Sequence, residues 1–182
     1  MKKILFVSFL SITLVSSLCA YELNGNLSVK WTGFKTEKKL PVSGTFNNIK
    51  LDIKSSINLS DFLKSSNVII KTNSLESKNP ERNNNIVSTL FALASADIIE
   101  GNISDVNEEE KSLILNVTMN EVTNPVRMDY IIENGNIIAS GGIDILDFSM
   151  QKSYMAFEKK CADLHENKSF SDVDIEFVIP YK

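Results

Sequence analysis

Apolar and polar residues alternate with a period of two along most of this chain, the pattern of half-buried β-strands. Leu27, Val29 and Trp31 share one face of a first predicted strand, with Ser28, Lys30 and Thr32 on the other. Val42 to Phe46 and Ile49 to Ile53 repeat the alternation on either side of a turn at Asn47-Asn48. Further faces are Val68, Ile70 and Thr72, then Leu113, Leu115, Val117 and Met119, then Val126, Met128, Tyr130 and Ile132. Val173, Ile175, Phe177 and Ile179 supply the last. Between Ile132 and Ile137 stands Asn134-Gly135, a strong hairpin signal, because both central residues of a type I′ turn need positive φ. Gly141-Gly142 reads as a bulge or bend within a strand.

Two segments change period. From Asn84 to Ala96, Ile86, Leu90 and Ala94 fall on one helical face with Val87 and Phe91 beside it, and Pro80 with the following asparagines marks the start. From Lys152 to Glu166, Tyr154, Phe157, Cys161 and Leu164 form a helical stripe that ends near Asn167. One turn of helix is expected around Ser60 to Leu63. Nothing suggests a second domain. The expectation is a mainly β protein: an antiparallel sheet of about eight strands, closed into a barrel or sandwich, with one or two packed helices. An eight-stranded barrel is at the size where side chains just fill the interior or leave room for one small ligand. Periodicity alone favours the filled core.

The N-terminus has another character. Lys2 and Lys3 precede an almost unbroken apolar run from Ile4 to Leu18, which ends at Cys19-Ala20 before the polar Tyr21-Glu22. This layout is that of a cleaved secretory signal peptide over residues 1–20, leaving residues 21–182 as the working domain. Leu18, not a small residue, precedes Cys19, which argues against lipid attachment at that cysteine. The chain is therefore expected to be exported, to be soluble without a transmembrane anchor, and to work in an oxidising compartment such as the periplasm. Loss of Lys2 and Lys3 from the 19 Lys and Arg leaves 17 basic against 23 acidic residues, a net charge of −6. Such a surface repels phosphate backbones, so nucleic acid is excluded as a partner. Cys161 is then a lone thiol, and the fold is held by core and sheet rather than by a disulfide.

Candidate chemistry is sparse. Cys161 and the single histidine, His165, stand four apart on a predicted helix and could face the same way. They are candidates for a metal pair or a Cys-His dyad, against the plainer reading of a buried thiol and a histidine near a helix C-terminus. No Gly-x-Ser-x-Gly elbow and no phosphate-binding loop occur. The chain does not read as an enzyme and calls for no cofactor. Arg82, within Asn79-Pro80-Glu81-Arg82-Asn83, is either a solvated loop charge or a donor at a cavity mouth. Among five Asn-x-Ser/Thr triplets, Asn102 also has an acidic residue two places upstream, the extended form of a bacterial glycosylation acceptor.

The order of several blocks resembles the YceI-like family of exported, lipocalin-like proteins along most of the mature length. The blocks are Val29-Lys30-Trp31, Val42-Ser43-Gly44-Thr45-Phe46, Asn79 to Ile86 with Leu90-Phe91, Met119 to Val126, and Ile143 to Met150. Cys161 to His165 and Ser171 to Ile175 look like a subgroup's C-terminal region. The resemblance implies an eight-stranded antiparallel barrel that holds a polyisoprenoid or similar amphiphile, and so favours a lined cavity over a filled core. Trp31, Phe46, Phe91, Leu115, Met128, Phe148 and Phe177 are then expected along the tunnel, by bulk and inward parity or helical stripe, with Arg82 at the ligand head. The chain departs from the family at Asn83 to Ile86, where the family carries Asp-x-His-Leu, at Glu121 in place of glycine, and at Ser149 in place of glycine. These departures fall at polar positions near the expected head group. The resulting expectation is a periplasmic carrier of an isoprenoid or fatty-acid type lipid, with a homodimer left open. Its rivals are a metal or redox protein using Cys161 and His165, and a structural or stress-response factor with an incidental cavity.

Overall fold

The computed structural model describes residues 20–182. Apart from Ala20, the leader and Cys19 lie outside the described residues. The strands are β1 (Ser28–Lys35), β2 (Leu40–Phe46), β3 (Ile49–Asp52), β4 (Asn67–Lys71), β5 (Leu75–Glu76), β6 (Ile98–Asn107), β7 (Ser112–Met119), β8 (Val122–Glu133), β9 (Asn136–Asp144) and β10 (Ser169–Pro180). All ten belong to one sheet in the order β3-β4-β6-β7-β8-β9-β10-β1-β2-β5, and every pairing is antiparallel.

The two ends of that order meet. β2 pairs with β1 and β5, whereas β3, only two residues further on, pairs with β4. Asn47-Asn48 is therefore not a hairpin turn but a bend in one strand. Its exposed backbone groups are taken up by the matching bend between β4 and β5: Asn47 N–H donates to Ser74 O at 2.9 Å and Lys71 N–H to Asn48 O at 3.1 Å. Counting β2–β3 and β4–β5 as two bent strands gives the eight expected of an antiparallel, lipocalin-like barrel.

The Asn134-Gly135 turn forms as its sequence requires, with φ of 50° and 73° and Glu133 paired to Asn136. Gly141-Gly142 does not form a bulge, since β9 runs in regular register with β10 through both glycines. Gly141 is needed for close approach. A Cβ there would stand 2.6 Å from Met128 Sδ and 2.7 Å from the Arg127 carbonyl oxygen. Pairing of β9 with β8 stops one residue earlier, at Ser140.

β6 carries no clean alternation and reads poorly from sequence. Ile99, Gly101 and Ile103 face inward, but one of the three is a glycine. Between Ile103 and Asp105 the strand gains a residue relative to β7, so Ser104 bulges out and the parity shifts. Asn102 lies mid-strand, its side-chain oxygen accepting from Asn116 Nδ2 at 3.2 Å.

Among the described residues, three α-helices complete the fold. α1 (Leu59–Lys64) is capped by the Asn58 side chain, which accepts from Ser60 N–H. It buries Leu59, Phe62 and Leu63, and Tyr21 stacks on Phe62 with ring centroids 5.9 Å apart. This plugs the end of the barrel where β10 finishes, beside Tyr181. α2 (Pro80–Asn85) begins with Pro80 after the Asn79 cap and passes directly into a π-helical turn over Ile86–Phe91. The segment expected as one helix to Ala96 thus ends at Phe91, and a turn replaces its last residues. The wider π turn, with Ala92 N–H donating to Val87 O, brings Ile86, Leu90 and Phe91 together on the buried side. α3 (Gln151–Cys161) is shorter than the stripe suggests, and Leu164 sits in a separate 3-10 turn, Asp163–His165, mostly exposed.

Candidate functional site

The barrel interior is not uniformly filled. On the β8–β9 side, Leu113, Met128, Tyr130, Ile137 and Ala139 pack without access to water. On the other side, a cavity of about 290 Å³ runs against β10, β1, β2, β4, β6 and β7. That volume is at the lower edge of small-molecule sites, so the occupant it suits is slender. β10 touches it from Phe170 to Ile179, a strand contour of about 30 Å at roughly 3.3 Å per residue.

Strand parity builds the walls. Val29, Trp31, Gly33 and Lys35 follow one another inward on β1, and the first three stand opposite Phe177, Ile175 and Val173 of β10. Facing them are Ile103 and Leu115, which are register partners, and Gly101 beside Val117. Trp31 lies over Gly44: a Cβ on that glycine would meet the indole ring at 2.5 Å. The Trp31 Nε1–H is buried with no partner among the described residues. At Gly33 a Cβ would meet nothing within 4 Å, so the wall opens there.

The polar end lies where β1 finishes and β10 begins, under α2 and α3. Asn79, Glu81, Arg82 and Asn85 line it from the α2 side, Lys35 and Phe34 from β1, and Phe157, Cys161, Leu164 and His165 from α3 and its following turn. Between Gly33 and Lys35 the β1–β10 register shifts, two residues of β1 spanning four of β10, so Phe170 also reaches the cavity.

Of the residues expected along the tunnel, Trp31, Phe46, Phe91, Leu115 and Phe177 line the cavity, as does Arg82 at its polar end. Met128 and Phe148 do not. Met128 has the inward parity assigned to it but is consumed in the packed half, against Gly141. Phe148 is on no strand: it belongs to the 3-10 turn Ile145–Phe148, where its carbonyl accepts from Asn120 Nδ2 at 2.9 Å and its ring is fully buried. Lys35 and Asn85 were not singled out by the sequence. The period-two run from Val29 does place Lys35 inward, but a lysine after three such positions reads as a strand end.

Cys161 and His165 both border the cavity, although they do not share a helix. Cys161 is buried, which is the main reason its thiol is pushed up and stays protonated. His165 Nδ1 is 2.7 Å from Ser169 Oγ, and its ring meets Phe157 edge-on at 5.7 Å. No cluster of three His, Cys, Asp or Glu side chains able to hold a metal occurs among the described residues.

Burial, and then the charges of Lys35 and Arg82, hold His165 below its ordinary value. The unfolded chain therefore takes up this proton first as the pH drops through about 6.5. Stability present above that pH is lost progressively towards the folded-state value. The midpoint of thermal unfolding is expected to fall between pH 7 and pH 5, and His165→Gln to shrink that fall. An unchanged pH profile in the variant would contradict the assignment.

The YceI-like domain model matches residues 7–180. The chain belongs to the YceI-like family. Solved structures with the same fold include Burkholderia cenocepacia BcnA, at TM-score 0.59 and 13% identity, covering 84% of this chain and 94% of that one. A polyisoprenoid binding domain from Saccharophagus degradans, implicated in plant cell wall breakdown, aligns at TM-score 0.59 and 14% identity over 90% of this chain and 97% of its own. The Campylobacter jejuni YCEI protein aligns at TM-score 0.53 and 15% identity over 100% of this chain and 92% of its own. At these identities the likeness is one of fold. Comparison with curated protein sequences gives no match. Among the described residues, no helix is long and apolar enough to cross a membrane.

Proposed function

We propose that this YceI-like chain is an exported carrier that holds one amphiphilic lipid, of isoprenoid or fatty-acid type, inside its barrel. The observation that carries this reading is the elongated cavity, apolar along most of its wall, with its basic side chains and Asn79 and Asn85 gathered at one end. Each methylene moved from water to such a wall contributes about 0.8 kcal/mol, so a long chain binds with few hydrogen bonds. Trp31, Phe46, Phe91, Leu115 and Phe177 would line the chain, and Arg82 would face the head. Removal of the leader over residues 1–20 would deliver residues 21–182 to the periplasm, where an aqueous gap between membranes calls for a container of this kind. No covalent step and no cofactor is needed. The polyisoprenoid binding of the S. degradans neighbour supports the choice of ligand class.

The test is uptake from vesicles carrying a trace of labelled long-chain fatty acid or isoprenol, with protein and vesicles separated by flotation. Label is expected to move with the wild-type protein. Gly33→Phe, which places a ring where the wall opens, is expected to prevent the transfer. Wild-type protein that takes up neither label would refute the carrier reading.

A further inference from the structure

The polar end of the cavity has an excess of donors and cations. Lys35, Arg82 and His165 border it, against the exposed Glu81 and against Glu100, which is exposed on the outward register of β6. Lys35 and Arg82 are half-buried, and neither joins an ion pair: those among the described residues use Lys39, Arg127 and Lys182. Lys35 Nζ donates to the Leu164 carbonyl and Arg82 Nη1 to the Ser77 carbonyl, both at 3.3 Å. These are neutral acceptors, and the remaining guanidinium N–H groups have no protein acceptor among the described residues.

A second observation points the same way. Asn85 borders this end as a buried polar residue, 4% exposed. Its amide supplies donors to a ligand that enters this end of the cavity. An acceptor-rich anionic group in the cavity would accept from it and neutralise the two cations together. Charge-assisted hydrogen bonds of that kind are about twice as strong as neutral ones.

We infer that the head group taken by this site is an anion, a carboxylate or phosphate monoester ending a single long chain, bound by Arg82 and Lys35 with Asn85 donating. The inference rests on the carrier reading above and specifies its ligand. It is tested by competition binding with hexadecanoate, hexadecyl phosphate and hexadecanol at a pH where the carboxylate is ionised. The two anions are expected to bind about tenfold or more tightly than the alcohol. Arg82→Gln and Lys35→Gln, each made separately, are expected to weaken binding of the two anions severalfold more than binding of the alcohol, and so to reduce that preference. Acetate and inorganic phosphate are expected not to displace the anionic chains; displacement at similar concentrations would mean a site for free anions and would overturn the proposal. Equal affinity of all three chains in the wild-type protein would overturn the anionic head while leaving the carrier reading intact. Binding of none of them would overturn both.

Discussion

Leu115→Trp is expected to abolish uptake of a long-chain lipid while leaving the protein folded. Leu115 stands on β7 opposite Ile103, and its side chain faces the cavity rather than the packed half of the barrel. The indole therefore grows into open space instead of into neighbouring side chains, which is where overpacking would cost stability. It would occupy volume that several methylenes of the ligand need. Excluding three or four of them removes roughly 2–3 kcal/mol of binding, about a hundredfold in affinity. The checks are a thermal midpoint close to wild type and a binding isotherm displaced beyond the measurable range. Unchanged affinity would show that the ligand does not pass Leu115.

Phe62→Ala is expected to destabilise the protein by about 3–5 kcal/mol, the usual result of emptying a buried aromatic site. Phe62 is fully buried in α1, flanked by Leu59 and Leu63 and stacked by Tyr21. α1 is only six residues long, so its helical form depends on this packing and on the Asn58 cap rather than on intrinsic propensity. Urea unfolding followed by circular dichroism measures the loss as a lower transition midpoint at similar slope. A change below 1 kcal/mol would mean that α1 does not seal the barrel.

Most strands are legible in the sequence because each has one wet and one dry face. β1, β7, β8 and β10 are of this kind, and the Asn134-Gly135 turn fixes the β8–β9 register. β6 escapes because Gly101 removes one apolar position and the Ser104 bulge reverses the parity of the rest. Closure of the barrel through Asn47-Asn48 is equally invisible: two asparagines between alternating runs read as a hairpin, and only the pairing of β2 and β3 with different partners makes them a bend. The site divides along the same line. Aromatic wall residues follow from parity, so Trp31, Phe46 and Phe177 are found, but parity cannot separate a lined wall from a filled one. Met128 has the correct face in the filled half. Phe148 is misplaced because its segment is a 3-10 turn rather than a strand. Asn85 stands where the family resemblance leads one to expect histidine, and its significance appears only when the π turn and its burial are known.

The central claim, that the cavity holds a lipid, is tested most directly by mass spectrometry of the protein isolated from its native host without detergent. The account predicts a complex heavier than the polypeptide by the mass of one amphiphile, which organic extraction releases and the Leu115→Trp protein lacks. Wild-type protein recovered repeatedly at the bare polypeptide mass, with no lipid in the extract, would contradict it.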